Sequence, residues 1–120
     1  MAYDKENIFA KIIREEIACK KIYENEHVLA FHDIAPQAPI HVLVIPKGEY
    51  INQADFTLRA NEDEIVAFHR TVAKVAEDLE LCKEGYRLIT NLGEHGGQEV
   101  QHYHMHILGG KPLGKMVCGE

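Results

Sequence analysis

An α+β fold is the prediction for this chain: a five-stranded, mainly antiparallel sheet with one short and one long helix packed on one face. Short β-type runs cluster between residues 21 and 46 and again between residues 86 and 108, with one long amphipathic stripe between them. A doubly wound parallel sheet would need more crossover helices than the sequence supplies.

Asn7 caps the short helix, in which Ile8, Phe9, Ile12 and Ile13 recur on one side and Lys11, Arg14, Glu15 and Glu16 on the other. It ends before Lys20. Lys21 to Glu24 and His27 to His32 form a hairpin about Asn25-Glu26. Next, Asp33-Ile34-Ala35-Pro36-Gln37-Ala38-Pro39 is a stiff connector, because each proline removes a backbone donor and restricts the residue before it. Ile40 to Ile45 is β-branched and almost continuously apolar, the pattern of a central strand covered on both faces, and Pro46 and Gly48 close it. His41 stands at its polar start and reads as a framework histidine, as do His27, His32 and His69.

Tyr50 to Ala60 offers one loose helical turn at most. The pattern sharpens at Asn61, which has capping-box spacing to Glu64, and Ile65, Phe68, Val72, Val75, Ala76 and Leu79 then form one apolar stripe. The long helix ends near Leu81. Gly85 turns the chain into a fourth strand, Tyr86 to Thr90. A glycine-rich loop, Asn91 to Gln98, feeds the fifth strand, Glu99 to Leu108, and the tail with Pro112, Gly114 and Gly119 is irregular.

The 120 residues fit a single domain spanning 1–120, and 46% hydrophobic residues supply an ordinary core. With 13 Lys and Arg against 19 Asp and Glu, the net charge of -6 lacks the basic footprint of a nucleic-acid binder. A mononucleotide stays within reach. No run approaches the roughly 18 apolar residues of a membrane span, and the start has no apolar leader core. Cys19, Cys82 and Cys118 are odd in number and form no C-x-x-C, so reduced thiols and a cytoplasmic protein without a membrane partner are expected.

The feature that demands a function is His102-Tyr103-His104-Met105-His106. On an extended strand the three imidazoles line one face, and Tyr103, Met105 and Ile107 line the core face. Zinc is one reading, but the outer histidines would have Cα atoms about four times 3.3 Å apart, so a three-histidine site on one strand is strained. A two-histidine site completed by Cys118, His41 or Glu99 stays open. Phosphorus chemistry is the other reading, with imidazole as a covalent nucleophile and backbone amides of the glycine-rich loop receiving a phosphate. His104, flanked by two imidazoles, is the best-placed nucleophile. His106 then contacts the phosphoryl oxygens or the leaving group, and His102 helps set the nucleophile's tautomer. No metal and no cofactor are expected on this reading.

His102-Tyr103-His104-Met105-His106-Ile107-Leu108-Gly109-Gly110 resembles the signature of the histidine triad superfamily, in its Hint branch. Asn7 to Arg14, Ala30 to Pro39, Val44 to Lys47 and Gly96 to Val100 resemble the same family in order, so the likeness covers nearly the whole chain. It implies a homodimer whose two sheets join, purine nucleoside monophosphates as ligands, and hydrolysis of nucleoside 5'-phosphoramidates through a nucleotidyl-histidine on His104. Asp33 would hold the ribose hydroxyls, and Phe31, Ile34, Ile8, Phe9 and Ile12 would form the base slot. Asn91, Gly97, Gln98, Glu99, Val100 and His106 would surround the ribose and phosphate.

Two departures bear on the leaving group. Where many members carry a further histidine after the segment matching Pro46-Lys47, this chain has Gly48-Glu49-Tyr50. Where several have serine it has Glu99, which would serve through its backbone N–H. Competing readings are a dinucleoside polyphosphate hydrolase or nucleotidyl transferase on the same histidine, a nucleotide-binding protein with incidental chemistry, and a zinc module.

Overall fold

In the computed structural model, which describes residues 2–117, the chain runs α1 (Ile8–Ile13), β1 (Lys21–Glu24), β2 (Val28–His32), β3 (Ile40–Pro46), α2 (Gln53–Arg59), α3 (Glu62–Asp78), β4 (Tyr86–Ile89), α4 (Gly93–Gly96) and β5 (Met105–Gly109). The five strands form one sheet in the order β1-β2-β3-β5-β4, and every neighbouring pair is antiparallel. The α+β class and the antiparallel sheet are therefore as the sequence predicts.

The helix complement is not. The described residues hold four helices rather than one short and one long. α2 buries a single side chain, Phe56, so no apolar stripe announces it; it is held instead by the Asn52 cap on Asp55 N–H and the Asp55–Arg59 pair one turn apart. α4 is one turn inside the glycine-rich loop, and Gly97 ends it in the left-handed region at φ 76°. The continuation of the sheet into a second subunit has no support from this one chain.

The helices also lie on both faces of the sheet. Val28, Ala30, Val42 and Val44 point to one side, where they pack with Phe56 of α2 and Phe68, Val72 and Val75 of α3. The alternate residues Leu29, Phe31, Leu43 and Ile45 point to the other and pack with Phe9 and Ile12 of α1. A strand apolar at nearly every position, as β3 is, requires such cover on both sides. α3 starts with the predicted capping box, Asn61 accepting from Glu64 N–H and Glu64 accepting from Asn61 N–H.

β5 is shorter than predicted, beginning at Met105 rather than Glu99, so His102 and His104 precede it. The paired ladder runs only to Val44–Met105 on β3 and Ile89–His106 on β4; β3 continues to Pro46, but residues 102–104 are not paired with it. Other bonds hold that segment: Tyr50 O accepts from Tyr103 N–H at 2.7 Å, and Thr90 Oγ1 donates to His104 O at 2.8 Å. Tyr103 stacks on both Phe56 and Phe68, with ring centroids 5.1 and 4.9 Å away, and these two rings also touch each other at 5.2 Å. Among the described residues no helix is long and apolar enough to cross a membrane. Cys118 and Gly119 lie outside the described residues.

Candidate active site

Four histidines gather on the α1 side of the sheet. In the β3–β5 register Leu43 faces His106 and His41 faces Leu108, so His41 and His106 project to the same face on adjacent strands. His41 Nε2 lies 2.9 Å from His106 Nδ1, and the His104 and His106 rings meet edge to face with centroids 5.1 Å apart. Phe9 of α1 packs edge-on to His104 at 5.0 Å and to Phe31 at 5.8 Å, so the apolar wall of α1 and β2 adjoins the central histidine.

Backbone partners with only one possible role fix the protons. Gln37 N–H donates to His41 Nδ1 at 3.0 Å, so neutral His41 carries its proton on Nε2 and donates it to His106 Nδ1. Neutral His106 therefore presents Nε2–H. His104 Nδ1 lies 2.8 Å from the His102 carbonyl and must donate to it, which leaves Nε2 of His104 as a bare lone pair. His102 Nε2 donates in turn to Pro46 O at 2.8 Å. The neighbouring rings of His104 and His106 thus show opposite functions, an acceptor nitrogen and a donor nitrogen.

All four rings are pushed toward neutrality. Burial lowers His102 to about 4, aided by the neighbouring His104. Burial likewise lowers His106 to about 4, with His104 and His41 adding to the effect. His104 and His41 are also lowered by burial, although Asp33 opposes the shift in both and Glu99 opposes it in His104. A cluster of neutral imidazoles offers nucleophilic nitrogen and N–H donors at ordinary pH without carrying like charges.

Asp33, His41 and His106 also bring ligand atoms within 4.8 Å of one another, as a metal site would. The donor set does not suit one. A metal-bound histidine donates its second ring N–H to an acceptor, whereas the second nitrogen of His41 accepts from Gln37 N–H, so Nε2 holds the proton that a metal would have to displace. The cluster is built to carry a proton.

The HIT domain profile matches residues 14–113. The chain belongs to the HIT family. It is 52% identical over 115 residues to an uncharacterised 13.2 kDa HIT-like protein of Azospirillum brasilense, covering 96% of this chain and 94% of that one. A purine nucleoside phosphoramidase of Escherichia coli is 46% identical over 114 residues, covering 95% of each. Among solved structures, a histidine triad protein from Clostridium difficile superimposes with a TM-score of 0.85 at 41% identity, over 97% of this chain and 100% of that one. A histidine triad nucleotide-binding protein from Candida albicans gives 0.83 at 30% identity, over 96% and 85%. Family membership brings with it hydrolase chemistry at an active-site histidine.

Around this HIT centre the remaining predicted residues take distinct places. Phe9, Ile12 and Phe31 are buried together, while Ile8 is half exposed and Ile34 is 99% exposed. Asp33 Oδ2 sits 3.4 Å from His41 Nε2, and its Oδ1 accepts from Ala35 N–H. Val100 packs on the α1-side cluster. Asn91 Nδ2 donates to Gly96 O across the α4 turn, Gly97 follows as its left-handed cap, and Glu99 is exposed. The Gln98 side chain is fully engaged in bracing the loop: its Nε2 donates to Ile51 O and Val100 O, and its Oε1 accepts from Gly93 N–H.

His41 is the functional residue that pattern reading assigns to the framework. A signal existed: His41 has the same strand parity as Leu43 and Ile45, so it occupies the face that also receives His106 once β3 pairs with β5.

Proposed function

We propose that this chain, acting as a single HIT domain over residues 1–120, hydrolyses purine nucleoside 5'-phosphoramidates through a nucleotidyl-histidine intermediate on His104. The observation that carries the reading is the pair of opposite tautomers, bare Nε2 on His104 beside Nε2–H on His106. The 46% identity to an E. coli purine nucleoside phosphoramidase supports the choice of substrate.

In the first half-reaction the phosphoramidate nitrogen takes a proton from solvent, His104 Nε2 attacks phosphorus, and the P–N bond breaks to release the neutral amine, while His106 Nε2–H donates a hydrogen bond to a phosphoryl oxygen. The bond from His41 to His106 Nδ1 keeps that N–H turned to the phosphate. In the second half, water attacks from the side the amine vacated, gives a proton to solvent and displaces His104 Nε2, releasing the nucleoside monophosphate. The Nδ1–H bond from His104 to the His102 carbonyl steadies the positive charge the ring carries while phosphorylated.

For binding, the exposed Ile8 and Ile34 together with the buried Phe9, Ile12 and Phe31 take the purine, and the Asp33 carboxylate accepts from the ribose diol. The backbone N–H groups of Glu99 and Val100 meet the phosphate, those of Gly97 and Gln98 being engaged by Glu94 O and Gly93 O, with Asn91 bracing the loop.

The test is AMP release from adenosine 5'-phosphoramidate by wild type and His104→Ala. Release by wild type and its loss in the variant are expected; no release by wild type, or equal turnover by both, contradicts the reading.

A further inference from the structure

One side chain reaches the histidine cluster from a segment that the proposed reaction does not otherwise use. Tyr3 Oη lies 2.5 Å from His102 Nδ1, and the two rings meet edge to face with centroids 5.6 Å apart. His102 Nε2 already donates to Pro46 O, so Nδ1 can only accept and the phenol must donate. The segment that carries Tyr3 is built onto α1: Asn7 N–H and Nδ2 both donate to Asp4 O, Glu6 N–H donates to Asp4 Oδ1, and Arg14 Nη1 donates to Lys5 O. The same helix brings Phe9 to His102 and His104.

We propose that Tyr3 is a positioning residue for His104: its hydroxyl caps the one ring nitrogen of His102 that Pro46 O leaves free, keeping that ring neutral and in place and with it the His102 carbonyl that holds His104 Nδ1–H. The idea rests on His104 being the nucleophile. His102 is fully buried and bound at both ring nitrogens, so its ring cannot turn without breaking one bond. Its own carbonyl is the acceptor that leaves His104 Nε2 bare. Without the phenol, Nδ1 becomes a buried acceptor with no donor, and the ring can take a proton there while Nε2–H stays on Pro46 O. A proton on His102 would set positive charge beside His104 and weaken it as a nucleophile. His104 faces His102 from the same segment, and Asn7, Glu49, Arg14 and Asp4 surround the phenol. Burial, reinforced by Glu49 and Asp4 against Asn7 and Arg14, holds the phenol proton in place as a donor.

Tyr3→Phe keeps the ring and removes only the hydroxyl. Side-chain 15N NMR without substrate should show wild-type His102 as a single Nε2–H tautomer at neutral pH, and in Y3F a His102 titration moved to higher pH. With adenosine 5'-phosphoramidate, kcat should fall about tenfold in Y3F while KM moves by less than about twofold, the effect of losing one buried hydrogen bond outside the binding slot. An unchanged His102 titration in Y3F, or an unchanged kcat in an active enzyme, overturns the proposal. If wild type releases no AMP, the proposed function falls, and the NMR still decides whether Tyr3 caps His102. If Y3F does not fold, the wild-type spectrum decides, because an Nδ1–H tautomer of His102 contradicts the contact.

Discussion

His41 Nε2 donates to His106 Nδ1 across 2.9 Å, and the direction of that bond is set by Gln37 N–H, which occupies the other nitrogen of His41. The relation joins a backbone amide in the proline-containing connector to the donor face of His106. It makes His41 part of the proposed reaction centre through His106 alone.

Replacing His41 should therefore act on turnover rather than binding. In His41→Ala, His106 loses the donor that fixes its tautomer, and kcat should fall roughly ten- to a hundredfold as its N–H no longer stays on the phosphoryl oxygen. KM should move little. Steady-state kinetics with adenosine 5'-phosphoramidate check this, and a change confined to KM would contradict it.

The depressed histidines tie stability to pH. His102 and His106 are held at about 4 in the fold but titrate near 6.5 when unfolded, so between those values the unfolded chain binds more protons. Their contribution is complete above about pH 6.5 and is lost as pH falls toward 4, at a slope of up to about 1.4 kcal/mol per pH unit for each ring. Urea unfolding from pH 7 to pH 4 should show wild type weakening more steeply than His102→Gln; equal slopes would show that His102 titrates normally in the fold.

Asp33 is proposed to accept from the ribose diol. Asp33→Ala should weaken AMP binding about tenfold or more, as loss of charge-assisted hydrogen bonds does, and weaken 2',3'-dideoxy-AMP far less. Calorimetry on both ligands decides, and equal losses would remove the role. Asp33 Oδ1 also accepts from Ala35 N–H, so Asp33→Asn serves as the companion that keeps the turn.

On the opposite face, Phe68 is fully buried and stacked on Tyr103, the residue between His102 and His104. Phe68→Ala should cost about 3–5 kcal/mol of stability by denaturant unfolding, as large core truncations do. A loss below about 1 kcal/mol would mean the face packs otherwise.

What could be read in the residues is uneven for physical reasons. The Asn61 capping box and the Phe68–Val72–Val75 stripe are local signals, and they return as α3 with its cap. The β-branched run from Ile40 is likewise β3. α2 escaped because it buries only Phe56 and owes its form to capping and an ion pair. The histidine segment escaped in part because strand alternation assumes a paired ladder, and residues 102–104 lie outside it. The rings converge through Pro46 O, Tyr50 O and the His102 carbonyl, bonds that no periodicity encodes. His41 and Tyr3 belong to the same class, since each joins the site by a contact more than 60 residues away in sequence.

The most direct measurement is a rapid quench of wild type with adenosine 5'-phosphoramidate, followed by peptide mass analysis. An adenylyl group formed within the first turnover on His104, and absent in His104→Ala, is the expected result. AMP release with no adenylylated histidine, or adenylylation of His102 or His106 with His104 free, would contradict His104 as the nucleophile.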